Sequence, residues 1–182
     1  MSLLPSFAPT VATRMEAFLF RHGPAEDRDP QRWPADTDRP LSPEGVRATR
    51  RAARGFAAWV GRIDRIATSP FERADATAHI LSRVYPRAVK VERWEELASG
   101  ELAAPLLARV RGRPRSVERI ALVGHEPTLG EFAGYALTGE SVAFLRLSKA
   151  GAAGLGFPRA LAPGAAQLLW VLTREQLTAL AK

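Results

Sequence analysis

Apolar positions along the chain switch repeatedly between a two-residue and a 3.6-residue period, which predicts strands and helices in alternation. Residues 16–20 form an apolar run that reads as a buried strand ending at Arg21, and a Pro- and Asp-rich loop follows over residues 24–40. Ser42, Pro43 and Glu44 read as N-cap, first helical position and first-turn acid of a helix. Its apolar positions are Val46, Ala53, Ala57 and Val60, and it should end near Gly61. Residues 63–68 predict a second strand. Ser69-Pro70-Phe71-Glu72 then combines a capping serine, a proline and a capping-box glutamate, predicting a helix with the buried stripe Phe71, Ala74, Ala78, Leu81 and Tyr85.

Val89 and Val91 suggest a third strand, residues 102–110 a helix, and residues 119–123 a fourth strand running into Gly124-His125. Pro127-Thr128 opens another helix, with Glu131 placed to cap Thr128. Residues 142–147, 152–157 and 167–172 read as three consecutive strands, and Thr173-Arg174-Glu175 opens a terminal helix. Strands that alternate with helices need right-handed crossovers that put helices on both faces. The expected fold is therefore a three-layer α/β/α sandwich with a mixed, mainly parallel central sheet and an antiparallel edge.

Length and composition bound this picture. With 182 residues, one domain over residues 15–182 suffices to bury a core. Residues 1–14 read as an N-terminal extension, disordered, tag-derived or docking late. The chain has no cysteine, which excludes disulfides, thiolate-bound zinc and thiol nucleophiles. No apolar run approaches the ~18 residues of a membrane span, and the N-terminal stretch lacks a secretory pattern. A soluble, cytoplasmic monomer without membrane attachment is the expectation. The net charge of +7 invites a nucleic-acid reading. However, its arginines are scattered, and the densest group, Arg109, Arg111, Arg113 and Arg115, has no interleaved aromatics for base stacking. A solvated face is the better account, and it is compatible with a preference for anionic substrates.

In open α/β sheets the ligand crevice lies beyond the carboxyl ends of the strands. Three predicted junctions carry polar groups there: Arg21-His22-Gly23 after the first strand, Arg73 in the helix after the second, and Gly124-His125-Glu126 after the fourth. Each has a bland reading. A lone histidine after a strand is more often a structural hydrogen-bonding residue, Arg21 and Arg73 could be surface residues, and Gly23 could merely turn the chain. His79 keeps its bland reading on a helix. Together, two guanidiniums, two imidazoles and helix N-termini at one edge supply what a tetrahedral dianion requires.

These same residues carry a resemblance. In Leu19-Phe20-Arg21-His22-Gly23, in Thr68-Ser69-Pro70 with Arg73-Ala74 and Thr77-Ala78, and in Leu122-Val123-Gly124-His125, the chain resembles the histidine phosphatase superfamily, formerly named for phosphoglycerate mutase. Arg39-Pro40-Leu41-Ser42 with Gly45, and Gly124-His125-Glu126-Pro127, look like its short SixA-type phosphohistidine phosphatases. The resemblance implies that His22 is the nucleophile and becomes phosphorylated. Arg21, Arg73 and a protonated His125 would complete the phosphate pocket, Gly23 would let the backbone approach, and no metal or cofactor is implied. His22 must attack neutral, so its second ring nitrogen should donate to a backbone carbonyl or similar acceptor that fixes the tautomer.

Many superfamily members protonate the leaving group with an acidic residue beside the pocket. Glu126 is the preferred candidate here, against a capping or solvated role, and Glu92, Glu95 and Glu96 are weaker alternatives. The chain has little material for a lid, since the stretch between Val91 and Arg119 is short and the loop 24–40 has the composition of an open rim. An open pocket favours a phosphatase over a mutase, which must keep water out. It also favours phosphohistidine in a protein as substrate. The alternatives are a broad phosphatase of small phosphomonoesters, such as sugar phosphates or nucleotides, and a non-catalytic phosphate-binding module.

Overall fold

The computed structural model describes residues 13–143 and 145–181. Its sheet contains β1 (Met15–Arg21), β2 (Arg65–Thr68), β3 (Val91–Arg93), β4 (Arg119–Gly124), β5 (Ala152–Phe157) and β6 (Gln167–Leu172), in the order β3-β2-β4-β1-β5-β6. The first four are mutually parallel, whereas β5 runs antiparallel to β1 and β6 antiparallel to β5. The helices are α1 (Pro43–Val60), α2 (Glu72–Arg83), α3 (Ala103–Arg111), α4 (Thr128–Thr138) and α5 (Arg174–Leu180). This is the mixed α/β sandwich expected.

Alternation along β1 sorts its side chains between two cores, because successive residues of a strand face opposite sides. Phe18 and Phe20 pack with Phe56 of α1, Leu81 of α2 and Leu177 of α5. Ala17 and Leu19 face the other layer, with Leu106 and Val110 of α3 and Phe132 of α4. Helix α1 begins as the sequence indicates: the Ser42 hydroxyl accepts the Gly45 N–H at 3.0 Å, and Gly61 ends it at φ +78°. Thr173 caps α5 in a reciprocal capping box with Gln176.

Four local expectations are corrected. Of residues 142–147, the described ones form no strand, because Val142 and Leu145 bring their carbonyls against α4 instead. A Cβ on Gly130 or Gly134 would stand 2.3 Å from the Leu145 carbonyl oxygen or 2.0 Å from that of Val142, so the two glycines admit this backbone. Helix α2 starts at Glu72, not at a Ser69 cap, since the Ser69 hydroxyl is turned to the sheet edge. Glu131 makes no cap for Thr128, whose hydroxyl donates to the Ala98 carbonyl and accepts the Gly100 N–H. Finally, Arg14 already donates its N–H to the Phe157 carbonyl at 2.9 Å, so attachment to β5 begins before Met15. The remaining residues assigned to the extension, 1–12, lie outside the described ones.

Candidate active site

Register places the site. The last ladder pairs are Arg21 with Gly124 and Thr68 with Val123, so β1, β2 and β4 end side by side. One residue on, the His22 N–H donates to the Gly124 carbonyl at 3.0 Å and the Ser69 N–H to the Val123 carbonyl at 2.9 Å. His22, Ser69 and His125 therefore emerge from adjacent strand ends. The two imidazoles are 4.9 Å apart between centroids. Arg73 enters from the first turn of α2, and Phe71 lies 4.8 Å from the His125 ring and 5.1 Å from the Arg73 guanidinium carbon.

His22 is 6% exposed, and its Nδ1 lies 2.7 Å from the Gly23 carbonyl oxygen. A carbonyl only accepts, so Nδ1 carries the proton and Nε2 presents a lone pair, the tautomer a nucleophile needs. Burial, reinforced by Arg73, Arg21 and Lys149, pushes the His22 pKa down to about 3 against the opposing pull of the Gly23 carbonyl. His125, 2% exposed, is likewise lowered to about 3 by burial and by the cationic field of its neighbours. The expected protonated His125 is thus neutral in the free site. Its Nε2 is 2.9 Å from the Ser69 hydroxyl, and its Nδ1 is buried without a partner.

The arginines show the same incompleteness. Arg21 donates through one terminal nitrogen to the Leu147 carbonyl at 2.7 Å, while its Nε is buried and unpartnered. Arg73, 4% exposed, also has a buried, unpartnered Nε, and its terminal nitrogens reach the Asp36 carbonyl at 2.6 Å and the Asp36 carboxylate at 2.9 Å. Burial opposes ionisation of Asp36, but the Arg39 and Arg73 guanidiniums hold its carboxyl below the ordinary range. The loop 24–40 is therefore not the open rim expected from its composition, because it delivers a carboxylate onto a site arginine.

Gly23 also has a packing role that the sequence did not announce. Its N–H donates to the Thr77 hydroxyl at 3.1 Å, and that hydroxyl donates to the Arg73 carbonyl at 2.7 Å. A Cβ on Gly23 would stand 1.9 Å from the Thr49 hydroxyl, so the glycine serves the packing of β1 on α1. The Glu126 carboxylate accepts the N–H groups of Leu147, at 2.9 Å, and Gly130. Burial raises its pKa despite those bonds and nearby Arg21. Of the weaker acidic candidates, Glu92 is engaged by Arg65 and Lys90. His79 is half exposed on α2, 3.6 Å from Asp75, away from the site. Among the described residues no group of three or more His, Asp and Glu side chains is arranged to hold a metal ion.

The basic group on α3 is largely occupied within the chain: Arg109 stacks on Trp94, while Arg111 and Arg113 donate to the carbonyls of Leu161 and Val117. None of the described helices is long and apolar enough to cross a membrane.

Two facing histidines, one of them neutral with an open Nε2, stand here with two guanidiniums and an unpartnered imidazole nitrogen around them. The family model of the histidine phosphatase superfamily (branch 1) matches residues 17–131, and the chain belongs to that superfamily. A relative, an uncharacterized protein of Picosynechococcus sp., is 36% identical over 78% of this chain and 84% of its own. The protein histidine phosphatase SixA, solved with tungstate, superposes with a TM-score of 0.77 at 21% identity, covering 90% of this chain and 99% of that one. A phosphoserine phosphatase from Entamoeba histolytica, in complex with 3-phosphoglyceric acid, gives 0.59 at 17% identity over 90% and 99%. The structural likenesses fix the fold, and the family match fixes the superfamily.

Proposed function

We propose that the protein is a metal-independent phosphatase that works through a phosphohistidine on His22 and takes its phosphoryl group from phosphohistidine in a protein. The observation that carries this reading is the set of unsatisfied donors around a correctly tautomerised nucleophile. The Nε groups of Arg21 and Arg73 and the Nδ1 of His125 are buried and unpartnered beside His22, and here they converge on one nucleophile. A tetrahedral dianion offers the acceptors these groups lack.

In the first step the His22 Nε2 lone pair attacks phosphorus, forming a new P–N bond while the substrate's P–N bond breaks. A substrate phosphohistidine protonated on its other ring nitrogen departs as neutral imidazole, so the enzyme need not supply a proton. Charge on the equatorial oxygens is met by Arg21, Arg73 and His125, which takes up its missing hydrogen-bond partner as the dianion arrives. Water then adds to phosphorus, the bond to Nε2 breaks, dihydrogen phosphate leaves, and His22 returns neutral with Nδ1–H still on the Gly23 carbonyl.

Two features support the protein substrate. The SixA-like motifs run through the site, and the segment between β3 and β4 contributes only a 3₁₀ turn and α3, with no insertion that could enclose a small substrate. The competing reading, a broad phosphatase of small phosphomonoesters, draws on the phosphoserine phosphatase likeness.

Rapid quench of the wild-type enzyme should trap an acid-labile, base-stable phosphoenzyme that is absent from His22→Ala. Active wild-type enzyme without this intermediate refutes the mechanism. A kcat/KM preference for small esters over a phosphorylated histidine-containing carrier protein refutes the substrate.

A further inference from the structure

We propose that Glu126 is a positioning residue, which holds the Arg21 guanidinium at the phosphate site by fixing Leu147 from behind. The inference rests on the reading of Arg21 as a phosphate ligand and replaces the proton-donor role that its place beside His125 suggests.

The contacts form a chain. The Glu126 carboxylate accepts the N–H of Leu147 at 2.9 Å, and the carbonyl of that same residue accepts a terminal N–H of Arg21 at 2.7 Å. A second backbone N–H, from Gly130 in the first turn of α4, reaches the same carboxylate. Glu126 thereby ties the segment 145–148 to α4, along which it already packs closely at Gly130. Leu147 is 1% exposed, so no water competes for these bonds.

The same segment controls the backbone of the two strand-end residues. The Ala150 N–H lies 3.1 Å from the carbonyls of both Arg21 and His22, and the Arg21 N–H donates to the Gly151 carbonyl at 3.0 Å. Ala150 sits at φ +59°, a conformation an alanine adopts only where surrounding bonds impose it. Side chain and backbone of Arg21 are therefore both set by residues 147–151, and the Glu126 carboxylate is the side chain that anchors them. A general acid would have to turn an O–H toward the leaving atom, whereas this carboxylate already receives the Leu147 N–H.

The test compares Glu126→Gln and Glu126→Ala on p-nitrophenyl phosphate, whose leaving group needs no proton, and on glycerol phosphate, whose alkoxide does. Positioning predicts that Glu126→Gln, which keeps an acceptor for Leu147, stays within a few-fold of wild type on both esters with an unchanged pH profile. It predicts that Glu126→Ala loses about 10–100-fold on both alike, with weaker inhibition by inorganic phosphate. In an Arg21→Ala background the further loss on removing Glu126 should largely vanish. Glu126→Gln that fails selectively on glycerol phosphate and loses the limb of its pH profile reporting a protonated group overturns the proposal in favour of acid catalysis. Full additivity with Arg21→Ala overturns it as well. Should Glu126→Ala not fold, Glu126→Gln alone decides through the leaving-group and pH readouts. Failure of the His22 mechanism would show separately, as a missing phosphoenzyme in wild type.

Discussion

The two site histidines should make the folded protein sensitive to mild acid. His22 and His125 are held neutral in the folded chain, with pKa values lowered to about 3, while in the unfolded chain they protonate near the ordinary histidine value of about 6.5. Between these limits the unfolded state binds more protons, so stability rises with pH across the window and is lost as pH falls through it. Well inside the window each imidazole contributes about 1.4 kcal/mol per pH unit. Integrated from pH 7 to pH 5, the pair should cost about 4 kcal/mol, a large share of the roughly 5–15 kcal/mol that holds a domain together. The ordinary carboxylate range lies lower and contributes little over this interval. Urea unfolding at pH 7, 6 and 5 in phosphate-free buffer measures the loss directly, and His22→Gln should remove about half of it. A wild-type stability that is flat from pH 7 to 5, or a His22→Gln variant with an undiminished slope, refutes neutral burial of the pair.

Two further substitutions probe the elements around the site. Gly23→Ala places a methyl 1.9 Å from the Thr49 hydroxyl and should destabilise by about 1–3 kcal/mol, or roughly 2–4 °C in Tm per kcal/mol. Thr49→Ala removes that oxygen, which has no partner, so the double variant should recover most of the loss in a thermal melt; simple additivity would contradict this account. Asp36→Ala removes the acceptor that occupies Arg73 and should tighten competitive inhibition by inorganic phosphate about three- to tenfold. This is less than the full value of a charge-assisted bond, because the Asp36 side chain is 35% exposed. Weaker inhibition would instead make Asp36 a support for Arg73.

The parts of the site that could be read from the chain are those fixed by where strands end. An apolar run of set length followed by a polar residue locates Arg21, His22 and His125, because parallel strands in register must finish at one edge. Ser69 was misread for a physical reason: a serine two or three residues before a helical run gives the same signal whether its hydroxyl caps the helix or turns away. Here it accepts the Phe71 N–H at 3.2 Å and lies against His125. The apolar content of residues 142–147 is similarly degenerate, since it does not by itself separate a strand from an irregular segment that runs beside a helix. The discriminating signal was in α4. Glycine in a helix interior costs about 1 kcal/mol relative to alanine, and Gly130 and Gly134, four positions apart on one face, mark the close approach of another backbone. The bond from Arg21 to Leu147 spans 126 positions and ends on a main-chain carbonyl, which every residue possesses, so no side-chain pattern could announce it.

The loop 24–40 shows where composition misleads. Charge and proline content describe how a segment is solvated on average, and most of this loop is indeed exposed or half-exposed. The destination of one carboxylate is decided by pairing instead. Arg73 keeps 5% of its side chain exposed and must satisfy a guanidinium there, so the nearest anion able to reach it is held even though its own loop is solvated. Asp36 meets that need with its backbone carbonyl at 2.6 Å and its carboxylate at 2.9 Å. A phosphoryl group that reaches the terminal nitrogens of Arg73 meets Asp36 there, whereas the Nε of the same guanidinium is without a partner. The surroundings of His22 are thus set at the loop as well as at the strand ends, since Asp36 stands on the terminal nitrogens of Arg73.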